Sequence, residues 1–188
     1  MLFPDGLTIF KQSGKHKNFS PFGRIPPRNK NDEFTSFGVT KYSNNTQLGF
    51  IAIGHFSGKI FFYKLNFELG TFQLLQNFNP ILNYNSPVLN IEFSSSGKHM
   101  AAAYQSGEIC IFDIVEGVQV GSIIQEKRAK GLAFDPMNEH IIAIAGYDRL
   151  ICIWDWFNQP DFPLDQVNNH TLSPPFTQLV WLNNGKGF

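Results

Sequence analysis

The chain is patterned as short apolar runs of about four to eight residues, each bounded by Gly, Asn, Ser or Asp. Such runs predict β-strands joined by tight turns, because no segment keeps an apolar period of 3.6 residues over three turns. The middle strands carry small side chains, as in Ala101, Ala102 and Ala103 and again in Ala143 and Ala145. Small residues suit strands packed between neighbouring sheets. The pattern, with its many Phe and Gly residues, therefore predicts an all-β protein.

The predicted strands recur as a unit. The segment "EICIFDI" aligns with "LICIWDW", so that Phe112-Asp113 falls on Trp154-Asp155 at a distance of 42 residues. A period of roughly 40 to 50 residues with about four short strands per unit is typical of propeller blades. The predicted organisation is the end of a preceding blade over 1–12, a basic Pro-containing loop or arm over 13–33, blades over 34–79, 80–125 and 126–168, and the start of a truncated blade over 169–188.

From residue 34 to residue 188 the sequence resembles the WD40-repeat β-propellers, and the likeness is best in "GLAFDPMNEHIIAIAGYDRLICIWDW". In this resemblance Trp154-Asp155 is the pair that ends the third strand, Phe112-Asp113 is its variant, and Asp148 is the turn acid that joins a buried polar network with the Trp. The family often has a His before the innermost strand, but "EKR" stands there instead. We therefore expect an incomplete network and blades held together by packing.

The resemblance implies an incomplete WD40-type β-propeller with about three full blades and partial blades at both ends. It also implies a non-catalytic scaffold for protein partners within a multiprotein assembly. A narrower likeness is to a WD40 subunit of the U3 small nucleolar ribonucleoprotein, the small-subunit processome. That likeness would make the protein a nucleolar ribosome-biogenesis factor; otherwise we expect a cytoplasmic one.

The segment 11–31 concentrates positive charge without an intervening acid. Pro21, Pro26 and Pro27 predict that it has no regular structure. One interpretation is a solvated loop between blades. The other is an RNA-contacting arm, in which basic side chains bind phosphates and aromatic rings dock on a base or a protein pocket. The candidate contact residues are Lys11, Lys15, Lys17, Phe19, Phe22, Arg24, Arg28 and Lys30.

The remaining features exclude several classes of protein. The chain has 15 basic and 15 acidic residues, so its overall charge favours neither nucleic acid nor an anionic membrane. Cys110 and Cys152 lie in strand-like runs and are predicted to be buried free thiols of an intracellular protein. No His, Cys or acid spacing indicates a metal site, a cofactor site or a catalytic centre. We therefore expect no enzyme activity, no cofactor, no small-molecule substrate and no membrane association.

The C-terminal segment "FTQLVWL", residues 176–182, is predicted to be an innermost strand without a hydrogen-bonding partner. An unpaired apolar strand invites pairing with another chain or aggregation. The sequence therefore predicts that these 188 residues do not form a self-sufficient domain.

Overall fold

The computed structural model describes residues 2–3, 6–13, 18–26, 33–40, 48–66, 68–81, 85–125, 127–168 and 179–181. Within them, residues 2–3, 11–13, 18–20, 22, 48 and 167–168 are described by their backbone alone. All regular elements in these ranges are strands, and among them no helix has the length and apolarity needed to cross a membrane.

The strands form four antiparallel sheets in which sequence neighbours pair. Sheet 1 contains β1 (Leu2–Phe3), β2 (Gly6–Ser13) and β3 (Asn18–Ile25). Sheet 2 contains β4 (Phe34–Val39), β5 (Leu48–His55), β6 (Ile60–Asn66) and β7 (Thr71–Phe78). Sheet 3 contains β8 (Val88–Phe93), β9 (His99–Tyr104), β10 (Glu108–Asp113) and β11 (Val118–Ile124). Sheet 4 contains β12 (Ala129–Phe134), β13 (Ile141–Gly146), β14 (Leu150–Asp155) and β15 (Asp165–Asn168). The predicted all-β class is confirmed.

Successive sheets pack face to face, and the side chains of one strand alternate between two cores because successive residues of a strand point to opposite faces. On β9, Ala102 enters the core shared with sheet 2, where it meets Phe62. Its neighbours Ala101 and Ala103 enter the core shared with sheet 4, which contains Trp154. Three consecutive alanines let β9 fit between two sheets, because added volume in a packed core costs about 1–3 kcal/mol. β5 also has a sheet on each side, but it directs Ile51 and Ile53 toward sheet 1 and Ala52 toward sheet 3, so small residues are not required at every position.

Hydrogen bonds also join neighbouring sheets directly. The Gln76 side chain on β7 donates from Nε2 to the carbonyl oxygen of Ile114 at 2.7 Å. The Asn90 side chain on β8 donates to the carbonyl oxygen of Lys130 on β12. These bonds fix the angle between sheets that apolar packing alone leaves adjustable, because hydrogen bonds are directional and dispersion contacts are not.

The prediction that prolines exclude regular structure from the basic segment is wrong for its middle part. Residues 18–25 form β3, and Pro21 lies opposite Phe10 where the register between β2 and β3 shifts. Proline is accommodated at this position because β3 is an edge strand of sheet 1 and a bulge removes the need for its missing N–H group. Pro26 follows the strand, and Pro27 lies outside the described residues.

The predicted terminal strand 176–182 is not seen in the part of it that the structure describes. Residues 179–181 have no strand geometry, whereas 176–178 and 182 lie outside the described ranges. Leu179, Val180 and Trp181 instead line a cavity of about 300 Å³ together with Phe93 and Phe134. These three residues therefore lie across the ends of β8 and β12.

Candidate interaction surface where sheets 3 and 4 meet

The acid of the Trp-Asp pair shapes the turn that follows its strand. Asp155 Oδ1 accepts hydrogen bonds from the backbone N–H groups of Phe157 at 3.2 Å and Asn158 at 2.8 Å. Burial raises the pKa of this carboxyl, but the hydrogen bonds from Asn158 and Phe157 outweigh it and leave the pKa below its usual range. Asp155 therefore acts as a turn-forming carboxylate, which is a structural role.

Asp113 has the same role at the equivalent position of sheet 3. Its Oδ1 accepts from the N–H groups of Val115 and Glu116, both at 2.9 Å. The hydrogen bond from Glu116 is the main cause that lowers the pKa of Asp113. The two acids occupy repeat positions in different sheets, so they do not form a catalytic pair.

Sheet 2 forms this turn with a residue that the sequence analysis missed. Asn66 Oδ1 accepts from the N–H groups of Glu68 and Leu69, both at 3.0 Å. Tyr63 takes the place of the repeat Trp in the core between sheets 1 and 2, and Lys64 follows it. The hairpin of β5 and β6 is extended so that Asn66 pairs with Leu48. Residues two positions apart on a strand point to the same face, so the Asn66 side chain lies on the same face as Lys64.

Trp154 and Phe112 are buried in the cores between sheets. Trp154 is 6% exposed and belongs to the core between sheets 3 and 4. Phe112 lies in the core between sheets 2 and 3, with its ring centroid 5.3 Å from that of Phe78. The Trp154 Nε1 atom is buried without a hydrogen-bond partner among the described residues. Asp148 Oδ1 accepts from the N–H of Leu150 at 3.1 Å. Among the described residues, the buried network that the resemblance implies is therefore incomplete around Trp154.

The two cysteines are free and buried. Cys110 lies in the core between sheets 2 and 3, and Cys152 lies in the core between sheets 3 and 4. Burial raises the pKa of both thiols, with smaller contributions from Glu108 at Cys110 and from Asp148 at Cys152. Two protonated thiols in separate cores are neither nucleophiles nor disulfide partners.

A polar cluster joins sheets 3 and 4 at the end of the strands where the β8–β9 and β12–β13 turns lie. Glu139 Oε2 lies 3.0 Å from His99 Nδ1, and Glu139 Oε1 accepts from the backbone N–H of Ser96 at 3.2 Å. Burial raises the pKa of Glu139, but hydrogen bonds from Ser96, His99 and Ser94 together hold it below its usual value. One carboxylate of sheet 4 thus fixes the β8–β9 turn of sheet 3.

Aromatic rings continue this cluster toward solvent. The buried Trp156 donates from Nε1 to the carbonyl oxygen of Glu139 at 2.7 Å. Its ring meets His99 edge to face at 5.1 Å and His140 at 5.6 Å between centroids. His140 in turn stacks on Phe157 at 4.5 Å, and Phe157 is 62% exposed. The cluster therefore ends in an exposed aromatic ring that is held in place by the residues packed behind it.

The chemistry of this cluster is structural. A serine–histidine–acid triad needs the histidine between the serine hydroxyl and the carboxylate. Here Ser94 Oγ accepts from the backbone N–H of His99 at 3.1 Å, while the His99 ring faces Trp156 and Glu139. Within the described residues, no group of three or more His, Cys, Asp or Glu could hold a metal ion. The arrangement can hold two sheets and their turns in place.

The candidate RNA-contact residues are only partly described. Lys11, Phe19 and Phe22 are placed by their backbone on β2 and β3, and Arg24 is an exposed residue of β3. The other candidates, Lys15, Lys17, Arg28 and Lys30, lie outside the described residues. The structure therefore places part of this segment on a hairpin.

Comparison with known proteins relates the chain to WD-repeat proteins, although no family model matches it. It is 27% identical over 135 residues to WD repeat-containing protein 1 of Bos taurus, covering 71% of this chain and 21% of the relative. The corresponding rat and mouse proteins are 25% and 24% identical over the same length. The chain thus spans about a fifth of these relatives.

A solved structure has the same fold. A chain of the "Crystal Structure of Mitotic Checkpoint Complex" matches with a TM-score of 0.61 and 17% identity, covering 87% of this chain and 46% of that chain. The sequence relatives support the predicted relationship to the WD40-repeat family, and the described sheets form an incomplete WD40-type β-propeller.

Proposed function

We propose that this protein is a non-catalytic scaffold that holds protein partners within a larger assembly. The WD-repeat relatives support this function. The polar side chains of Glu139 and Asp155 also support it, because their hydrogen bonds hold turns in place and join sheet 4 to sheet 3. Rigid sheets that present turns to solvent are suited to binding, because little conformational freedom is lost on association.

The observation that carries the proposal is a set of exposed apolar residues at one end of sheets 3 and 4. Val115, Met137 and Phe157 are 78%, 79% and 62% exposed. Met137 and Phe157 lie in turns at the same end of sheet 4, because β12–β13 and β14–β15 turns of an antiparallel meander share one end. Val115 follows β10 at the adjoining end of sheet 3. We call these three residues the turn face.

The turn face is tested by quantitative affinity purification of the full chain. The variant Met137→Ser with Phe157→Ser should lose at least one reproducible protein partner that the wild type retains. The matched control is Phe56→Ser with Leu69→Ser, which removes residues of 57% and 70% exposure from turns of sheet 2. Equal partner recovery by the wild type and the turn-face variant would contradict the assignment of binding to this face.

The finer assignments made from the sequence remain predictions. They are ribosome biogenesis with a nucleolar location, and RNA contact through residues 11–31. None of the relatives named above is described as a ribosome-assembly protein. RNA binding through Arg24 and its basic neighbours would weaken steeply with salt, because phosphate contacts release counterions. A salt-independent affinity would exclude that mode of binding.

A further inference from the structure

The end of sheets 3 and 4 opposite the turn face contains a cleft of about 350 Å³. Gln105 and Ser106 from the β9–β10 turn line one side, and Tyr147 from the β13–β14 turn lines the other. Lys127 and Arg128, from the connection between β11 and β12, complete the lining. Three connections from two sheets therefore converge on one cleft.

The cleft is positively charged. Lys127 and Arg128 are exposed, and the Lys130 ammonium lies 5.4 Å from the centroid of the Tyr147 ring. Arg149 is exposed two residues beyond Tyr147, in the same turn. These four cations come from the β11–β12 connection, the start of β12 and the β13–β14 turn, in a chain of no formal net charge.

Acids near the cleft offset this charge only in part. Asp135 and Glu139 lie in or beside the β12–β13 turn, which is at the opposite end of sheet 4. Asp148 is in the same turn as Tyr147, and the buried Glu108 follows the β9–β10 turn, so these two carboxylates offset part of the charge. The strand length separating the two ends exceeds the screening length of about 8–10 Å in physiological salt. Among the described residues beside the cleft, the four cations outnumber the two carboxylates, so the local charge is positive.

The frame of the cleft is fixed by backbone hydrogen bonds. The Tyr147 N–H donates to the carbonyl oxygen of Arg128 at 3.2 Å. The Gln105 N–H donates to the carbonyl oxygen of Pro87 at 2.9 Å, and the Ser106 N–H donates to Ser86 Oγ at 2.8 Å. The cationic side chains therefore project from a preorganised backbone, which lowers the entropy cost of binding an anion.

We propose that this cleft binds an acidic segment of a protein partner, rich in Asp and Glu. The proposal rests on the scaffold function and adds the chemistry of one partner. An Arg guanidinium binds a carboxylate through two parallel hydrogen bonds, and a neighbouring Lys adds a second charge. A cleft of this volume admits one or two side chains while the rest of the peptide lies across the turns. Single-stranded RNA fits less well, because base stacking needs free aromatic faces and the Lys130 ammonium covers one face of Tyr147.

The binding is measured by fluorescence anisotropy of the full chain with a short labelled Asp/Glu peptide. The matched peptide contains Asn and Gln at the same positions. The acidic peptide should bind the wild type, and Lys127→Gln with Arg128→Gln should weaken it about tenfold. The control Lys59→Gln with Lys98→Gln changes the net charge equally with two exposed lysines outside the cleft, and should change the affinity less than about twofold.

A charge reversal tests the site independently. Lys127→Glu with Arg128→Glu should abolish binding of the acidic peptide and create binding of a Lys-rich peptide, with an unchanged melting temperature. Absence of acidic-peptide binding to the wild type, equal loss in the control variant, or tighter cleft-dependent binding of single-stranded RNA would each overturn the proposal. Those outcomes leave the turn-face experiment unaffected, because neither its variant nor its control changes a residue that lines the cleft.

Discussion

Replacing each of two neighbouring tryptophans by phenylalanine should affect stability differently. Trp154 and Trp156 are both buried in the core between sheets 3 and 4. Trp156 Nε1 donates to the carbonyl oxygen of Glu139 at 2.7 Å. Trp154 Nε1 is buried with no hydrogen-bond partner among the described residues. The two positions therefore differ in whether the indole N–H is satisfied.

The magnitudes follow from this difference. The smaller ring leaves a cavity of roughly 40 Å³, which at about 24 cal/mol per Å³ costs about 1 kcal/mol at either position. At Trp154 the substitution also removes a buried unsatisfied donor, whose penalty is about 1–3 kcal/mol. Trp154→Phe should therefore leave the stability unchanged or raise it by up to about 2 kcal/mol. At Trp156 the substitution removes a hydrogen bond and leaves the Glu139 carbonyl oxygen unpaired, so Trp156→Phe should cost about 2 kcal/mol. Trp154→Ala, which removes the whole ring, should cost about 3–5 kcal/mol.

Urea unfolding followed by far-ultraviolet circular dichroism measures these differences, provided that the m-value is the same for all variants. In thermal unfolding, a difference of at least about 2 kcal/mol between the two Phe variants corresponds to at least about 4 °C for a chain of this size. Equal destabilisation by the two substitutions, or a larger loss at Trp154, would refute the conclusion that the hydrogen-bond state of the indole decides the cost.

Two further predictions concern the turn acid and the thiols. Asp155→Ala should destabilise the fold by about 1 kcal/mol, because two turn N–H groups lose their acceptor, whereas Asp155→Asn should retain most of the stability. The pKa of Asp155 is lowered in the folded state, so its stabilising contribution is present above the unfolded value of about 3.9 and is lost as pH falls through the folded value. Asp155→Asn should therefore flatten the acid limb of a plot of melting temperature against pH, and an unchanged limb would argue against this role. Cys110 and Cys152 should react with iodoacetamide only when the protein unfolds, because burial raises the pKa of both thiols; rapid labelling of the native chain, read by mass spectrometry, would place them outside the core.

The repeat itself could be read from the sequence because each blade meets the same packing requirement. Sheet 3, which lies between two sheets, has small residues such as Ala102 in its second strand. Its third strand has a large aromatic residue, Phe112, near its end. Asp113 and Asp155 could be matched for the same reason, since each begins the same kind of turn. The fold class can be predicted because these packing and turn requirements recur in each repeat.

The contacts between blades depended on the tertiary structure. Glu139 is 40 positions from His99 in the chain, and only the packing of sheets 3 and 4 brings their side chains to 3.0 Å. The position of Asn66 depended on an extended hairpin, and the tolerance of Pro21 depended on an edge strand with a bulge. Periodicity reports which face of a strand is buried. It does not report which turn of a neighbouring sheet lies opposite, because that is set by the angle between sheets.

The sequence by itself determined that the chain forms repeated β units, each with alanine in its second strand. The tertiary structure decided which surfaces those units expose. Lys127 and Arg128 are part of an unremarkable polar connection in the sequence, and they become a cationic cleft because the β9–β10 and β13–β14 turns meet them there. The pattern of buried residues along a strand depends on the local sequence. A surface site forms only where separate loops converge at the ends of the packed sheets.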